Sequence, residues 1–261
     1  MRVLRNVFIG VVTAALLVSA VCVFFISPRR VVPILMYHGL MEDGDSSMYV
    51  APKNFTSQME FLEKKGYFVI SLDELVKGIE AGKKYNSKTV VITFDDGLSD
   101  NYLSAFPVLA KYGFPATIFI SPGYIGKDGY LTWDQVKIMM VHGIDIGSHT
   151  INHAYLPSEK DTAILWKEVS GSKRDIETAT GRSPKYFAYP LGGFNDKVKS
   201  AVKMAGYKGA CTTNRGFDRY NKDVFELKRI KVTDSDMTKP FHFRAKLSGY
   251  YNFFRSAKSP E

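Results

Sequence analysis

The sequence contains little cysteine, and this scarcity excludes two kinds of protein. Cys22 and Cys211 are the only cysteines among 261 residues. Two are too few for a small domain stabilised by a disulfide framework or for a zinc site built from cysteine ligands. Hydrophobic residues account for 45% of the chain and charged residues for 23%, which is the composition of a packed globular protein.

Acidic residues are missing from the first 30 positions, which contain four arginines. Residues 31–261 contain 31 basic and 26 acidic side chains, so their net charge is only +5. This mild excess suits an anionic cell envelope but is too small to indicate a nucleic-acid-binding surface. We therefore expect no nucleic-acid partner.

An uncharged and largely apolar run covers residues 7–26. As a helix, such a run would be about 30 Å long, enough to span a bilayer. It exceeds the roughly 7 to 15 apolar residues of a signal peptide, which favours an uncleaved membrane anchor over a cleaved signal. A buried core helix is the third interpretation. Residues 1–30 are thus predicted to be a membrane anchor or signal segment, and residues 31–261 one extracytoplasmic domain that is secreted if the segment is cleaved.

From Val31 onward, short β-branched segments alternate with longer amphipathic ones, which is typical of βα units around a parallel sheet. The candidate strands cover residues 32–37, 68–71, 90–94, 116–121, 144–147, 186–189, 209–213 and 227–232. Their number and the available length predict one α/β domain with a (β/α) barrel of seven or eight strands. No repeat, linker or low-complexity segment divides this domain.

Two carboxylates follow the apolar run 90–94, where Asp95 and Asp96 come directly before Gly97. In barrels and open α/β sheets, the working side chains lie where strands end and loops begin. Adjacent carboxylates repel each other, and one is driven towards protonation unless a cation lies between them. The alternative interpretation is an Asp-Asp-Gly turn that caps a helix.

Two histidines, His149 and His153, stand four residues apart after the candidate strand 144–147. On a helix or a tight turn, such a pair can face one way and bind one metal. A surface loop with one capping histidine is the alternative. The glutamate of a His-Glu-x-x-His site is absent, which disfavours a protease of that kind. Because both clusters follow strands, they offer two histidines and one aspartate to an open catalytic zinc site, with the second aspartate left as a base.

Three segments carry a resemblance to a known family. Thr-Phe-Asp-Asp-Gly at 93–97 and Ser-His-Thr-Ile-Asn-His at 148–153 are similar to the first and second motifs of the NodB-homology polysaccharide deacetylases, carbohydrate esterase family 4. Ile-Leu-Met-Tyr-His-Gly at 34–39 looks like the first strand of the subgroup that contains biofilm poly-N-acetylglucosamine deacetylases. The resemblance covers residues 32–232 and implies a distorted and often incomplete (β/α) barrel.

The resemblance also implies roles for individual residues. Asp95 would be the general base, and Asp96, His149 and His153 would bind the metal. The third motif would supply a backbone N–H at Leu191 that stabilises the oxyanion. Substrate contacts are expected from Tyr189 and Pro190. Further aromatic residues are candidates for sugar stacking, although each also fits the core: Tyr37, Tyr124, Trp133 and Phe187.

The chain departs from the family pattern in three motifs, of which the fourth, with its aspartate and tryptophan, has no recognisable counterpart. Ala188 stands where the family usually has an arginine that orients the base, and we hypothesise that Arg229 supplies this cation beside Asp95. A surface or helix-facing arginine is the alternative. The histidine of the fifth motif is also absent, so the proton donor is unassigned, and His38 at the end of the first strand is the substitute that we favour.

The function expected from these residues is metal-dependent hydrolysis of acetamide groups on N-acetylglucosamine residues of an extracellular or cell-wall polysaccharide, with release of acetate. The cofactor expected is one divalent ion, zinc in the first place, with cobalt or nickel as alternatives. The partners expected are the N-acetylated polymer and, through the N-terminal segment, the membrane, with the protein a monomer. Two other functions stay open, an O-acetyl esterase of the xylan type and a non-catalytic carbohydrate-binding or assembly protein.

Overall fold

A computed structural model describes residues 2–21, 30–42, 47–238, 240–253 and 255. Helix α1 (Arg2–Ala20) covers most of the predicted anchor. Its apolar side chains, such as Phe8 and Leu16, are exposed, so α1 is not a core helix. In the part of the chain just defined, no helix unites the length and the apolar character needed to cross a membrane. The predicted membrane span is therefore not supported by α1. Residues 22–26 of that predicted span lie outside the described residues.

The sheet consists of parallel strands. They are β1 (Ile34–Tyr37), β2 (Phe68–Val69), β3 (Thr89–Phe94), β4 (Ala116–Ile120), β5 (Ile144–Ser148), β6 (Tyr186–Ala188), β7 (Gly209–Thr212), β8 (Leu227–Lys228) and β9 (Ile230–Lys231). Eight of them follow one another in the order β8-β7-β6-β5-β4-β3-β1-β9, and β2 pairs with β3 outside this path. The predicted α/β class is confirmed, and seven of the eight candidate strands are present with ends that differ by one or two residues. The eighth, predicted over residues 227–232, is divided into β8 and β9.

The sheet closes at one short segment of the chain. β8 pairs with β7, whereas β9 pairs with β1 at the opposite end of the strand order. In sequence, β8 and β9 are separated by Arg229 alone. The segment predicted as one strand over residues 227–232 therefore crosses from one edge of the sheet to the other. The result is a nearly closed parallel barrel of eight strands, as the sequence predicted.

Helices connect the strands and pack around the barrel. They are α2 (Pro52–Lys64), α3 (Leu72–Glu80), α4 (Phe106–Tyr112), α5 (Trp133–Val141), α6 (Thr162–Trp166), α7 (Ser172–Thr180), α8 (Asp196–Met204), α9 (Ser235–Thr238) and α10 (Pro240–Leu247). Two helical segments contain a wider π-helical turn, at Asn101–Ala105 and Lys167–Gly171. The C-terminal part of the chain forms α9 and α10, and Phe243 and Leu247 of α10, four residues apart, both pack on the core.

Side chains alternate between the barrel interior and the surrounding helices, because successive residues of a strand point to opposite faces. One buried cluster contains residues from strands all around the sheet, such as Val91, Phe119, Ala188 and Leu227, which is the arrangement of an interior. The neighbouring residues in sequence pack outward against the helices. In β3 this alternation places Asp95 in line with Val91, on the interior face at the end of the strand.

Candidate metal centre and active site

The predicted site residues follow neighbouring strands at one end of the barrel. Asp95 and Asp96 come after β3, and His149 comes after β5. Strand β4 pairs with both of these strands in parallel, so their carboxyl ends meet at the same edge. The turn after β3 depends on a left-handed backbone at Asp96, whose φ is 74°. This conformation is tolerated better by aspartate than by most residues.

Three of these side chains bring their ligand atoms together. The Oδ1 atom of Asp96 lies 3.6 Å from Nε2 of His149 and 3.4 Å from Nε2 of His153. One ligand atom from each residue lies within 4.8 Å of the other two. A tetrahedral zinc ion with bonds of about 2.0 to 2.1 Å holds its ligand atoms roughly 3.3 Å apart. The three residues therefore fit a single divalent cation, as the sequence predicted.

His149 is held in the orientation that a metal ligand requires. Its Nδ1 lies 2.7 Å from the carbonyl oxygen of Ala188, so Nδ1–H donates there and Nε2 keeps its lone pair towards Asp96. The hydroxyl of Ser121 donates to the carbonyl oxygen of His149 and fixes the backbone as well. Burial lowers the pKa of His149 to about 4, so the imidazole is neutral near pH 7 and available to a cation.

The loop that carries both histidines is strained and held by a buried acid. Thr150 and His153 have φ values of 63° and 54°, which is unfavourable for a β-branched residue such as threonine. The Glu168 carboxylate accepts hydrogen bonds from the backbone N–H groups of Ile151 and Asn152 at 2.8 and 3.0 Å. It also accepts one from the Asn152 side chain. Sequence reasoning missed Glu168, because it lies in a helical segment remote from every motif.

The hypothesis that Arg229 replaces the missing cation is supported by the geometry. Its two terminal nitrogens donate to the two carboxylate oxygens of Asp95, each at 2.6 Å. Arg229 also donates to Thr93 and to the carbonyl oxygen of Thr212, and its guanidinium lies over the Phe119 ring. The side chain is only 1% exposed, which rules out the alternative of a surface arginine.

The two adjacent aspartates have opposite pKa shifts. Burial by itself raises the pKa of Asp95, but the charge and hydrogen bonds of Arg229 bring it down to about 2. Burial raises the pKa of Asp96 to about 6, and the negative charge of Asp95 adds to this effect. Asp95 therefore stays ionised, whereas Arg229 supplies Asp96 with only part of the positive charge that would keep it ionised. A divalent cation between Asp96 and the two neutral histidines would supply that charge.

His38 lies close to the two aspartates, in agreement with its proposed place beside the site. Burial lowers its pKa, and the charges of Asp95 and Asp96 oppose this effect. The carbonyl oxygen of His38 accepts a hydrogen bond of 2.9 Å from the side chain of Asn101. Asn101 is fully buried and fixes the backbone at the end of β1, a function that sequence reasoning missed.

The third motif differs from expectation in its side chains. Tyr189 and Pro190 are buried, and the Tyr189 hydroxyl donates to the carbonyl oxygen of Phe225. Tyr189 shares the helix-facing side of the sheet with Phe187 and packs in the outer core, so its buried ring gives no support to the predicted sugar contact. Leu191 has a φ of 55° and a side chain that is 60% exposed, which leaves it on the surface next to this turn.

A cleft of about 150 Å³ opens beside the three ligand atoms. It is lined by Asp96, His153, Ser121, Tyr124 and Tyr130. Sequence reasoning named Tyr124 among the candidates for sugar stacking but missed Tyr130 and Ser121. Ser121 could have been found, since it ends the predicted strand 116–121 at the same edge as the aspartates. Other candidates, Tyr37 and Phe187, are buried core residues.

Comparison with known proteins agrees with this geometry. A family model described as polysaccharide deacetylase matches residues 82–210. The chain is 36% identical over 205 residues to YxkH of Bacillus subtilis (strain 168), a protein assigned to the polysaccharide deacetylases, and the match covers 77% of this chain and 71% of YxkH. It is 26% identical over 198 residues to the poly-β-1,6-N-acetyl-D-glucosamine N-deacetylase of Staphylococcus aureus (strain MSSA476), covering 71% of this chain and 68% of that protein.

Solved structures show the same fold. The Streptococcus pyogenes deacetylase PplD, solved in complex with acetate, superposes with a TM-score of 0.76 and 27% identity, over 83% of this chain and 97% of PplD. IcaB from Ammonifex degensii superposes with a TM-score of 0.74 and 22% identity, over 84% of this chain and 97% of IcaB. Because the residues at the strand ends form one site, and because YxkH matches this chain over most of both sequences, this protein belongs to the NodB-homology polysaccharide deacetylases of carbohydrate esterase family 4, and it is a deacetylase of the hydrolase class.

Proposed function

We propose that this protein is a metal-dependent N-deacetylase that removes acetyl groups from N-acetylglucosamine residues of an extracellular or cell-wall polysaccharide. One observation carries the proposal. The ligand atoms of Asp96, His149 and His153 converge beside an ionised carboxylate, Asp95, that a buried arginine holds in place. The name of the Staphylococcus aureus relative supports the choice of substrate, because it describes a deacetylase of poly-β-1,6-N-acetyl-D-glucosamine.

The metal site is proposed to hold one zinc ion, with cobalt or nickel as alternatives, through Asp96, His149 and His153. A bound divalent ion supplies Lewis acidity, which polarises the acetamide carbonyl and acidifies the attacking water. The protein contributes the neutral state of His149 and the orientation of its Nε2 atom, fixed by the Ala188 carbonyl. Mixed nitrogen and oxygen ligands with an open position towards a cleft are typical of catalytic zinc sites.

Asp95 is proposed to accept the proton of the attacking water. Arg229 acts on it as a positioning residue, since its two hydrogen bonds fix the carboxylate plane and its charge keeps the group ionised. Each carboxylate oxygen retains a further lone pair for the water. Its pKa of about 2 keeps Asp95 ionised near pH 7, so the carboxylate is in the state that can accept a proton.

The proton is proposed to travel from Asp95 to His38 and then to the departing amine. His38 is suited to this relay, because burial lowers its pKa and leaves its imidazole able to accept a proton near pH 7. The backbone N–H of Leu191 is proposed to donate to the oxyanion of the tetrahedral intermediate. One such donor contributes roughly 2.7 to 4 kcal/mol to the transition state.

The setting of the enzyme is part of the proposal. We infer that residues 31–261 work outside the cytoplasm as a monomer, and that residues 1–30 are a membrane anchor or an export signal. The supporting observations are the apolar composition of residues 7–26 and the polymeric substrate, since N-acetylated polysaccharides occur in the envelope and the biofilm.

The test measures acetate release after removal and restoration of the metal. The protein is treated with a chelator, reloaded with zinc, cobalt or nickel, and incubated with β-1,6 and β-1,4 pentamers of N-acetylglucosamine, peptidoglycan and acetylated xylan. We expect acetate from N-acetylated oligomers, abolished by the chelator and restored by metal. Acetate from xylan alone would select the O-acetyl esterase. Oligomer binding without acetate from any substrate would select the non-catalytic protein.

A further inference from the structure

A pair of stacked tyrosines forms one wall of the cleft beside the metal ligands. The rings of Tyr124 and Tyr130 are nearly parallel, with centroids 5.0 Å apart and an angle of 18° between their planes. Both line the same cleft as Asp96 and His153. Their side chains are partly exposed, unlike the aromatic residues of the core. Partly exposed, stacked rings next to a reaction centre are a surface that can receive a flat ligand.

The loop that carries the two tyrosines is tied to both loops that carry metal ligands. On one side, Leu131 N–H donates to the Gly97 carbonyl and Ser99 N–H donates to the Gly129 carbonyl, so Tyr130 lies against the turn after Asp96. On the other side, Gly123 N–H donates to the Ile151 carbonyl. The Tyr124 hydroxyl donates to the carbonyl of the residue after Ile151. The tyrosines are therefore fixed relative to the metal centre.

In the stacked pair, the ring face that a ligand can contact is the outer face of Tyr130. Tyr124 is contacted by the Tyr130 ring and by the ammonium group of Lys127, which lies 4.7 Å from the Tyr124 ring centroid. Tyr130 has Tyr124 against one face. Its other face has no ring or cation partner among the residues that the structure describes. The Tyr130 ring is therefore the surface of the pair that a ligand in the cleft would contact.

The chemistry of the cleft fits a neutral sugar. Its lining contains hydroxyl groups, an imidazole and a carboxylate that the metal would neutralise, and it contains no lysine or arginine. A pyranose ring presents a face of C–H groups to an aromatic ring and a rim of hydroxyl groups to polar neighbours. The cleft, at about 150 Å³, is smaller than the roughly 300 to 1,000 Å³ of sites that enclose whole ligands. It has room for a short part of a polymer, and the remainder of the chain would lie outside.

We propose that the Tyr124–Tyr130 pair is a sugar-binding subsite, in which the outer face of Tyr130 stacks on the pyranose next to the one whose acetamide lies at the metal centre. This proposal rests on the proposed function for the position of the reacting sugar. The subsite makes the protein selective for oligomers over monomers, because the stacked unit contributes binding energy that a single sugar at the metal centre lacks.

The test measures binding without turnover. The dissociation constant for the β-1,6 pentamer of N-acetylglucosamine is determined by calorimetry on the full-length, chelator-treated protein. We expect Tyr130→Ala to raise it about fivefold to tenfold, since an aromatic contact contributes about 0.5 to 1.5 kcal/mol beyond its buried area. Tyr130→Phe keeps the ring and should change the dissociation constant less than twofold. Tyr130→Leu, which retains apolar bulk, should resemble Tyr130→Ala and replaces it if that variant unfolds.

Tyr112 provides a matched control. Its ring stacks on Phe114 with centroids 5.5 Å apart, and Lys111 lies 5.0 Å from its centroid, so it repeats the arrangement of the subsite. It lies at the end of α4, before β4 begins, and hence at the opposite end of the barrel. Tyr112→Ala should leave pentamer binding unchanged.

The results separate this proposal from the proposed function. Three results would each overturn the subsite. The first is a Tyr130→Ala variant that binds the pentamer as tightly as the wild type, and the second is a Tyr130→Phe variant that loses as much affinity as Tyr130→Ala. The third is a wild type that binds no pentamer. If the zinc-loaded wild type releases acetate but Tyr130→Ala binds the pentamer as tightly as the wild type does, the subsite is rejected and the proposed function stands. Weakened Tyr130→Ala binding without acetate release from the pentamer would support the subsite and reject the proposed N-deacetylase activity on this polymer.

Discussion

Two consecutive aspartates occupy opposite environments at the end of β3. Asp95 is buried, shares two hydrogen bonds with Arg229 and has a pKa of about 2. Asp96 turns towards the cleft, lies between two neutral histidines and has a pKa of about 6. The comparison shows that a protein cation already neutralises the first acid, whereas the charge that would neutralise the second is, in our proposal, a bound metal ion. One change of backbone direction at Asp96 thus separates the proposed base from the proposed metal site.

The largest effect is expected when the base is made neutral. Asp95→Asn should lower acetate release by about 10² to 10⁴-fold, the usual contribution of a positioned acid or base. Bound zinc, measured by atomic absorption, should stay near one ion per chain, because Asp95 is not among the three converging ligands. Loss of zinc together with activity would show that the two aspartates share one function.

The buried ion pair of Arg229 with Asp95 should contribute strongly to the free energy of unfolding. Arg229→Met leaves the Asp95 carboxylate buried without its partner, which should lower the free energy of unfolding by about 3 to 5 kcal/mol. Urea unfolding of the chelator-treated protein measures the change without a contribution from metal. Arg219→Met, at an exposed arginine, is the control and should change stability by less than about 0.5 kcal/mol. Equal stability of the two variants would contradict the importance of the pair.

The metal ligands should determine how strongly zinc stabilises the fold. At zinc concentrations about 100 times the dissociation constant, the wild type should gain about 2.7 kcal/mol of unfolding free energy. His153→Ala should lose most of this gain, whereas Asp95→Asn and His142→Ala, an exposed histidine at the end of α5, should keep it. A full gain in His153→Ala would mean that the zinc is bound elsewhere.

The smallest effect is expected from the carboxylate that holds the histidine loop. Glu168→Gln keeps the size of the side chain but weakens its hydrogen bonds to Ile151 and Asn152. Zinc affinity should fall about tenfold, the lower end of the effect of such supporting residues. Glu177→Gln, at an exposed position of α7, is the matched control. Competition with a coloured zinc chelator measures the zinc affinity of both variants. Equal affinities would show that Glu168 does not support the metal ligands.

Sequence reasoning located the aspartates and histidines because each pair belongs to one short segment at the end of a predicted strand. Arg229 was inferred from the arginine missing at Ala188, and its contact with Asp95 joins residues that are 134 positions apart. The burial of Tyr189, which the sequence did not indicate, has a physical cause, since alternation along β6 and the residue after it puts Phe187 and Tyr189 on the helix-facing side. Whether a side chain at a strand end points into the barrel or towards the helices depends on which face of the sheet becomes the interior when the barrel closes.

The sequence by itself determined the α/β class, the approximate strands and the four residues whose order along the chain already places them at strand ends. Only the tertiary structure decided that the barrel closes at the segment containing Arg229, that Glu168 holds the histidine loop, and that Tyr130 lines the cleft. Local patterns fix which residues reach one edge of a sheet, because parallel strands end together. Contacts between distant segments depend on closure of the sheet and on the burial of charge, and no short segment encodes either.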